Sequence, residues 1–255
     1  MIRAVQVELL KFRRSPVVIV STLLMVVLLP AIGLGMFSVA SEARAGPLAA
    51  KVEGLLIGEG WSAYLGLISQ VAAAAAFVGV GVVTAWTFGR EHSDKTFPSL
   101  FALTVSRRSI AMAKFGVLCI WVLVLGAVVT VFAVAAGAVV GVGSSDGGDV
   151  GAPLLRLLFV VTTTGLLALT AGYVASVGRG YLPAVGAIVI VVAAAQISVL
   201  FGVGGWFPFA LPGLVAITGS EAAPALSWMQ FALVPVVVVA VVWLTVRWWK
   251  RAEVV

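Results

Sequence analysis

Six long apolar runs, separated by short polar segments, constrain this chain more than any other feature of its sequence. The runs cover about residues 16–40, 61–88, 115–142, 153–177, 182–203 and 225–246. A helix needs about 20 predominantly apolar residues to cross the hydrocarbon core of a bilayer. Only 10% of the residues are charged, against roughly a quarter in a soluble domain. The sequence therefore predicts an all-α membrane protein with a single transmembrane domain over residues 1–255.

The basic residues are concentrated in alternate segments between these runs. Thirteen of the sixteen lysines and arginines lie in the two termini, in residues 90–114 and at Arg179. The intervening segments hold only Arg44, Lys51 and Arg156. Since cytoplasmic loops of membrane proteins carry the excess of Lys and Arg, we expect both termini, residues 90–114 and the Arg179 turn in the cytoplasm. Short basic clusters beside spans indicate membrane orientation rather than a nucleic-acid partner.

Residues 1–15 are predicted to form an amphipathic helix that lies along the headgroups. Apolar residues fall on one face of the helical wheel and charged residues on the opposite arc: Ile2, Val5, Leu9 and Phe12 against Arg3, Glu8, Lys11 and Arg14. This pattern is typical of an interfacial helix. It fits either a basic anchor that only sets orientation or an elbow helix that also touches a partner.

Residues 204–224 are apolar but broken by Pro208, Pro212 and Gly213. They are too broken to span a membrane and too apolar for an exposed loop. Irregular backbone at membrane depth is tolerated where protein surrounds it. We therefore predict a re-entrant or interface-hugging helical pair before the sixth span.

Residues that carry chemistry are scarce. The chain lacks a G-x-x-x-x-G-K-[ST] phosphate-binding loop, and it holds one cysteine, Cys119, and one histidine, His92. We expect no catalytic residue, metal site or cofactor on this chain, and hence no enzyme. The span interiors also lack central charges, which disfavours an ion-coupled permease. If the protein moves a solute, the energy is expected to come from elsewhere.

The polar segment at 90–114 is predicted to contain a short cytoplasmic helix from Asp94 to Val105. Asp94 suits an N-cap. An apolar cluster at helical spacing follows, formed by Phe97, Leu100, Phe101 and Leu103. Docking of such a helix into a partner's groove is a common recognition mode. The alternative is a loop helix that lies on lipid.

The same segment resembles the type-2 permeases of ATP-binding-cassette exporters. The residues that carry the resemblance are Glu91, Thr96, Leu100, Ser106, Arg107 and Lys114. The sequence departs from the family pattern at Lys95, where glycine is usual, and at Thr104, where proline is usual. The elbow helix, the six spans with cytoplasmic termini and the re-entrant segment also match that architecture.

This resemblance implies a permease of the bacterial plasma membrane that exports a hydrophobic or amphipathic substrate, such as a drug, an antibiotic or a lipid-like molecule. It would pair with a second permease copy or a paralogue. Two separate ATPase subunits would bind ATP and Mg and dock on a coupling helix between spans two and three. The expected coupling residues are Glu91, Asp94, Thr96, Phe97, Leu100, Phe101 and Arg107. The alternative is a membrane anchor or assembly protein that binds a cytoplasmic partner and transports nothing.

Polar and aromatic residues inside the spans are candidates for lining a substrate path between two permease halves. They are Gln70, Phe77, Thr84, Gln196 and Phe201. Ordinary packing between helices is the alternative interpretation for each of them.

Overall fold

The computed structural model describes residues 2–41, 47–94, 106–142, 150–220 and 223–251, and all regular structure within them is helical. In chain order the α-helices are α1 (Ile2–Arg13), α2 (Pro16–Ser41), α3 (Pro47–Glu53), α4 (Gly60–Ser93), α5 (Arg107–Val140), α6 (Gly151–Ala168), α7 (Thr170–Val177), α8 (Tyr181–Leu200), α9 (Leu211–Ala216) and α10 (Trp228–Arg251). A 3-10 turn, Gly204–Trp206, lies between α8 and α9.

Six helical segments among the described residues are long and apolar enough to cross a membrane. They are α2, α4, α5, the pair α6 and α7, α8, and α10. The prediction of an all-α protein with six candidate spans is therefore confirmed. The helices extend past the predicted apolar spans: α4 ends at Ser93, whereas the predicted span ends at about residue 88, and α5 begins at Arg107, whereas the predicted span begins at about residue 115. Intrahelical hydrogen bonds continue through polar residues, whereas hydropathy marks only the apolar part.

Helix α4 lies at the centre of the bundle, where it packs against α2, α6, α7, α8 and α9. Ala72 and Ala76 are fully buried along it. Such small side chains let neighbouring helices approach closely in a membrane protein. The Tyr64 hydroxyl donates to the Ala133 carbonyl of α5 over 3.0 Å, which satisfies a buried polar group between the two helices.

The fourth span is divided at Leu169, although the sequence predicts one helix over 153–177. The Leu169 N–H bonds to Leu166 O over 3.2 Å, and the Gly172 N–H bonds to Leu169 O over 3.0 Å. These bonds have the i→i+3 spacing of a 3-10 turn, which tightens the helix locally. After α7, Arg179 turns the chain with a positive φ of 51°, as the tight turn predicted there requires.

The segment after α8 packs into the bundle. It contains the 3-10 turn and the short helix α9, whose Leu211 and Pro212 are buried. The Phe209 ring lies 5.7 Å from the Phe77 ring of α4 in an edge-on contact. The predicted helical pair is thus a 3-10 turn followed by one short α-helix among the described residues.

Helix α1 packs against α5 and α2 through Ala4, Glu8 and Phe12, which are all buried. Leu9 is exposed instead. The helical wheel is therefore wrong about Glu8, which it placed on the arc opposite the apolar face. Glu8 turns inward because two lysines neutralise its charge there, as described below.

The segment that joins α4 to α5 is described only at its two ends. Asp94 closes α4, with φ −82°, ψ 1° and its N–H bonded to Arg90 O, so it lacks the extended conformation usual for an N-cap. Ser106 caps α5, since its Oγ accepts from the Ser109 N–H over 3.3 Å. Four predicted coupling residues, Thr96, Phe97, Leu100 and Phe101, lie outside the described residues.

Candidate functional site

A buried lysine joins three helices at the ends of α4 and α5. Lys114 is 0% exposed, and its Nζ donates to Glu8 Oε2 over 3.0 Å and to Glu91 Oε1 over 2.9 Å. Its third hydrogen bond goes to the Thr87 carbonyl over 3.0 Å. An ammonium group has three donors and no acceptor, so its hydrogen-bonding capacity is fully used.

Lys11 of α1 completes this cluster, which we call the junction (Glu8, Lys11, Glu91 and Lys114). Its Nζ lies 3.2 Å from Glu8 Oε1 and 3.7 Å from Glu91 Oε1. Burial alone would raise the pKa of the Glu8 carboxyl, but the charges and hydrogen bonds of Lys114 and Lys11 lower the pKa of Glu8 below its usual value. Glu8 is therefore ionised at neutral pH, and two cations balance two anions.

The junction fixes α1 to both helices that flank the undescribed segment. Buried ion pairs are weak evidence for stability, because desolvation offsets much of their attraction. They do fix geometry, since removing one partner leaves an uncompensated charge in the interior. Thus α1 and the adjoining ends of α4 and α5 are expected to move as one body.

Helix α10 holds the same region from another side. The Arg107 guanidinium, Nη2, donates to the Lys250 carbonyl over 3.3 Å. The Trp249 side chain is fully buried, and its Nε1 donates to Ser176 Oγ of α7 over 3.0 Å. The Trp249 ring also lies 6.1 Å from the Phe88 ring of α4. The end of α10 is therefore anchored to α4, α5 and α7.

The structure thus brings two of the predicted coupling residues into contact networks. Glu91 belongs to the junction, and Arg107 binds the end of α10. Asp94 is exposed at the end of α4. Sequence reasoning missed Glu8 and Lys114 as site residues. Two signals were available: Glu8 is the single acid in a basic amphipathic helix, and Lys114 directly precedes an apolar run.

Three of the five predicted lining residues share one cavity. Gln70 and Phe77 of α4 and Gln196 of α8 line a space of about 420 Å³ that α9 also borders. We call it the glutamine cavity. The Gln70 amide donates to the Leu55 carbonyl over 2.9 Å, so part of its polarity is used internally. An apolar wall with a few polar groups is typical of ligand pockets.

The other two predicted lining residues lie elsewhere. Thr84 is fully buried in α4 and lies close to Gly172 of α7. Phe201 is 79% exposed at the end of α8 and does not line the glutamine cavity. Among the described residues, no group of three or more His, Cys, Asp or Glu side chains could hold a metal ion.

The family comparison matches residues 4–195 to the model of the ABC-2 family transporter proteins. No curated protein matches the chain significantly. The matched residues include the junction, the glutamine cavity wall on α4, four of the six candidate spans in full and most of the fifth, α8; Gln196 lies one residue beyond the match. Permeases of this family span the membrane several times and work with ATP-binding-cassette ATPase subunits. The chain therefore belongs to the ABC-2 transporter family, as a multi-pass membrane permease.

Proposed function

We propose that this chain is the membrane-spanning subunit of an ATP-driven exporter in a bacterial plasma membrane. It pairs with a second permease copy or a paralogue, and two separate ATPase subunits bind ATP and Mg. Those subunits dock on the cytoplasmic side at residues 90–114. The substrate is a hydrophobic or amphipathic molecule that moves outward.

The junction is the observation that carries this proposal. An ATPase that pulls on the segment between Asp94 and Ser106 pulls directly on the ends of α4 and α5. Those ends are tied to α1 through Lys114 and to α10 through Arg107. A small displacement at the segment is therefore passed to four helices together, since packed helices shift as rigid elements rather than deform.

The glutamine cavity supports the substrate class. Its lining is mostly apolar, with the Gln70 and Gln196 amides among the described polar groups. Such a lining favours an apolar body that carries a hydrogen-bonding group. Helix α8, which forms one wall, has few buried residues, and its exposed apolar side chains are available to a second permease copy.

Co-purification with the ATPase tests the proposal. A tagged chain is expected to retain its ATPase subunit, and Leu100→Asp with Phe101→Asp is expected to abolish that retention, because two charges would enter an apolar docking face. Val254→Asp with Val255→Asp is the matched control, since it puts the same charges on a segment expected on the same side. Unchanged retention in the Leu100 and Phe101 variant would refute docking at this segment.

A further inference from the structure

A second cavity, much larger than the glutamine cavity, lies between α5, α6 and α10. Its volume is about 1190 Å³, which is above the usual range of roughly 300–1,000 Å³ for small-molecule pockets. Its lining is mostly apolar and includes Leu123 of α5, Phe159 of α6 and Phe231 of α10. We call it the arginine cavity, because Arg156 also lines it.

Helix α6 contributes seven of the residues that line this cavity. Arg156 lies in the second turn of α6, near one end of a candidate span, while Phe159 and Thr162 lie further along the same helix. The Phe159 and Phe231 rings meet edge-on at 5.9 Å and join α6 to α10. The cavity lining therefore has a cation near one end of the candidate span and apolar side chains toward the middle of that span.

Arg156 lacks a counter-charge within the part of the chain that the structure describes. Its Nη1 is shielded from solvent and makes no hydrogen bond there. None of the ion pairs between described residues includes it. Charged side chains in spans are costly and usually find a partner. A guanidinium binds phosphate through two parallel hydrogen bonds.

We propose that the arginine cavity binds an anionic phospholipid of the bilayer, with its phosphate on Arg156 and an acyl chain along α6. The combination of charge and shape carries this inference. A phosphate compensates the charge of the guanidinium at the end of the span. The acyl chain packs against the apolar lining, which is unfavourable to expose to water. The site is separate from the glutamine cavity and does not depend on the proposed export function.

Retention of radiolabelled dioleoylphosphatidylglycerol by the detergent-purified full chain tests the proposal. Arg156→Gln is expected to weaken binding by about tenfold or more, because a charge-assisted hydrogen bond is lost. Arg156→Lys is expected to retain part of the affinity. Wild-type affinity in Arg156→Gln, in a preparation with an unchanged unfolding temperature, would overturn the proposal.

A second pair of variants tests the apolar part of the site. Ala127 lines the cavity and is exposed on α5, whereas Ala135 is exposed on α5 outside it. Ala127→Trp is expected to block lipid binding by occupying the cavity, and Ala135→Trp to leave it unchanged. Equal binding by the two variants would contradict the assignment. A third outcome is that the wild type is a dimer that binds no lipid and that Ala127→Trp is a monomer. The cavity would then be an interface between two copies of the chain, and the proposal would be overturned.

Two further probes separate the sources of affinity. Dioleoylglycerol, which lacks the phosphate, and inorganic phosphate, which lacks the acyl chains, are each expected to compete poorly with the labelled lipid. Full competition by inorganic phosphate would reduce the site to a simple anion site and overturn the proposal.

Glu221 is close in sequence to the lining residue Thr218. Lipid binding that appeared only in Glu221→Gln would identify that carboxylate as the partner of Arg156 and would also overturn it.

Discussion

Lys114 is the residue that holds together the adjoining ends of α1, α4 and α5. It is fully buried and supplies the positive charge that compensates Glu8 and Glu91. Lys11, whose side chain is 38% exposed, also pairs with these two carboxylates. If Lys114 lost its charge, two carboxylates would remain in the interior with only this partial compensation.

Lys114→Met is therefore expected to lower the free energy of unfolding by about 3–5 kcal/mol, as removal of one member of a buried ion pair does. Reversible unfolding in mixed micelles measures this change. The exposed Lys51 provides the matched control, and Lys51→Met should stay within about 0.5 kcal/mol of the wild type. A combined Glu8→Gln, Glu91→Gln and Lys114→Met variant should be less destabilised than Lys114→Met alone. Equal stability of Lys114→Met and Lys51→Met would rule out the role assigned to the junction.

For single residues, the sequence predicts which ones belong to a site better than it predicts their contacts. Glu91 is recognisable from its motif, but its pairing with Lys114 and with Glu8 requires the fold. Glu8 and Lys114 are 106 positions apart, and no local pattern specifies a contact over that separation. The helical wheel describes α1 in isolation, where a carboxylate belongs in water. In the fold, the desolvation of Glu8 is offset by two lysines.

Among the helical elements, α4 lies close to the backbone of the α7–α8 turn at Gly89. A methyl group on Gly89 would meet the backbone of the α7–α8 turn, 2.7 Å from the carbonyl carbon of Gly180 and in contact with Tyr181. Both obstacles are backbone atoms, so side-chain rotation cannot relieve the overlap. The turn must shift if Gly89 acquires a side chain.

Gly89→Ala is accordingly expected to destabilise the protein by about 1–3 kcal/mol, the usual range for overpacking. Gly116→Ala is the control, because a methyl group there would meet nothing within 4 Å. Alanine also favours a helix over glycine, so this control should be neutral or slightly stabilising. Thermal unfolding of both variants measures the difference. A Gly89→Ala variant as stable as Gly116→Ala would show that the turn adapts freely.

Helices were predicted well where apolar length alone defines them. Helices α4 and α5 extend beyond the predicted apolar runs, because the last turn of α4 contains Arg90 and His92 and the first turn of α5 contains Arg107, which hydropathy counts as loop. No proline at or near Leu169 predicts the break in the fourth span. Its i→i+3 hydrogen bonds are local, but the burial of Leu169 is a tertiary feature, and a periodic apolar pattern encodes neither.

For the whole molecule, the distribution of basic residues predicts the orientation in the membrane. In a Cys119→Ser background, single cysteines at Ser93 and Lys250 should face the cytoplasm, and those at Lys51 and Ala225 the outside. All four positions are exposed. A membrane-impermeant maleimide should label the latter pair in intact cells and the former pair only in inverted vesicles. Labelling of the Ser93 and Lys51 positions from the same side would contradict the positive-inside assignment.

Which of the predicted lining residues share a cavity was only partly predictable. Gln70, Phe77 and Gln196 stand on two spans far apart in sequence and meet in one cavity, as polarity within spans suggests. Thr84 and Phe201 have the same kind of signal but lie in the core and on the surface. The sequence identifies polar and aromatic residues within the spans. The rotation of each helix in the bundle decides whether such a residue faces a cavity, the core or the surface.

The division of labour between this chain and an ATPase is the central claim, and ATP hydrolysis by purified preparations tests it most directly. The chain alone is expected to hydrolyse no ATP above a protein-free blank, because its sequence contains no phosphate-binding loop. The complex with its co-purified ATPase subunits is expected to hydrolyse ATP. Hydrolysis by a clean preparation of the chain alone, at the rate of the complex, would contradict the account.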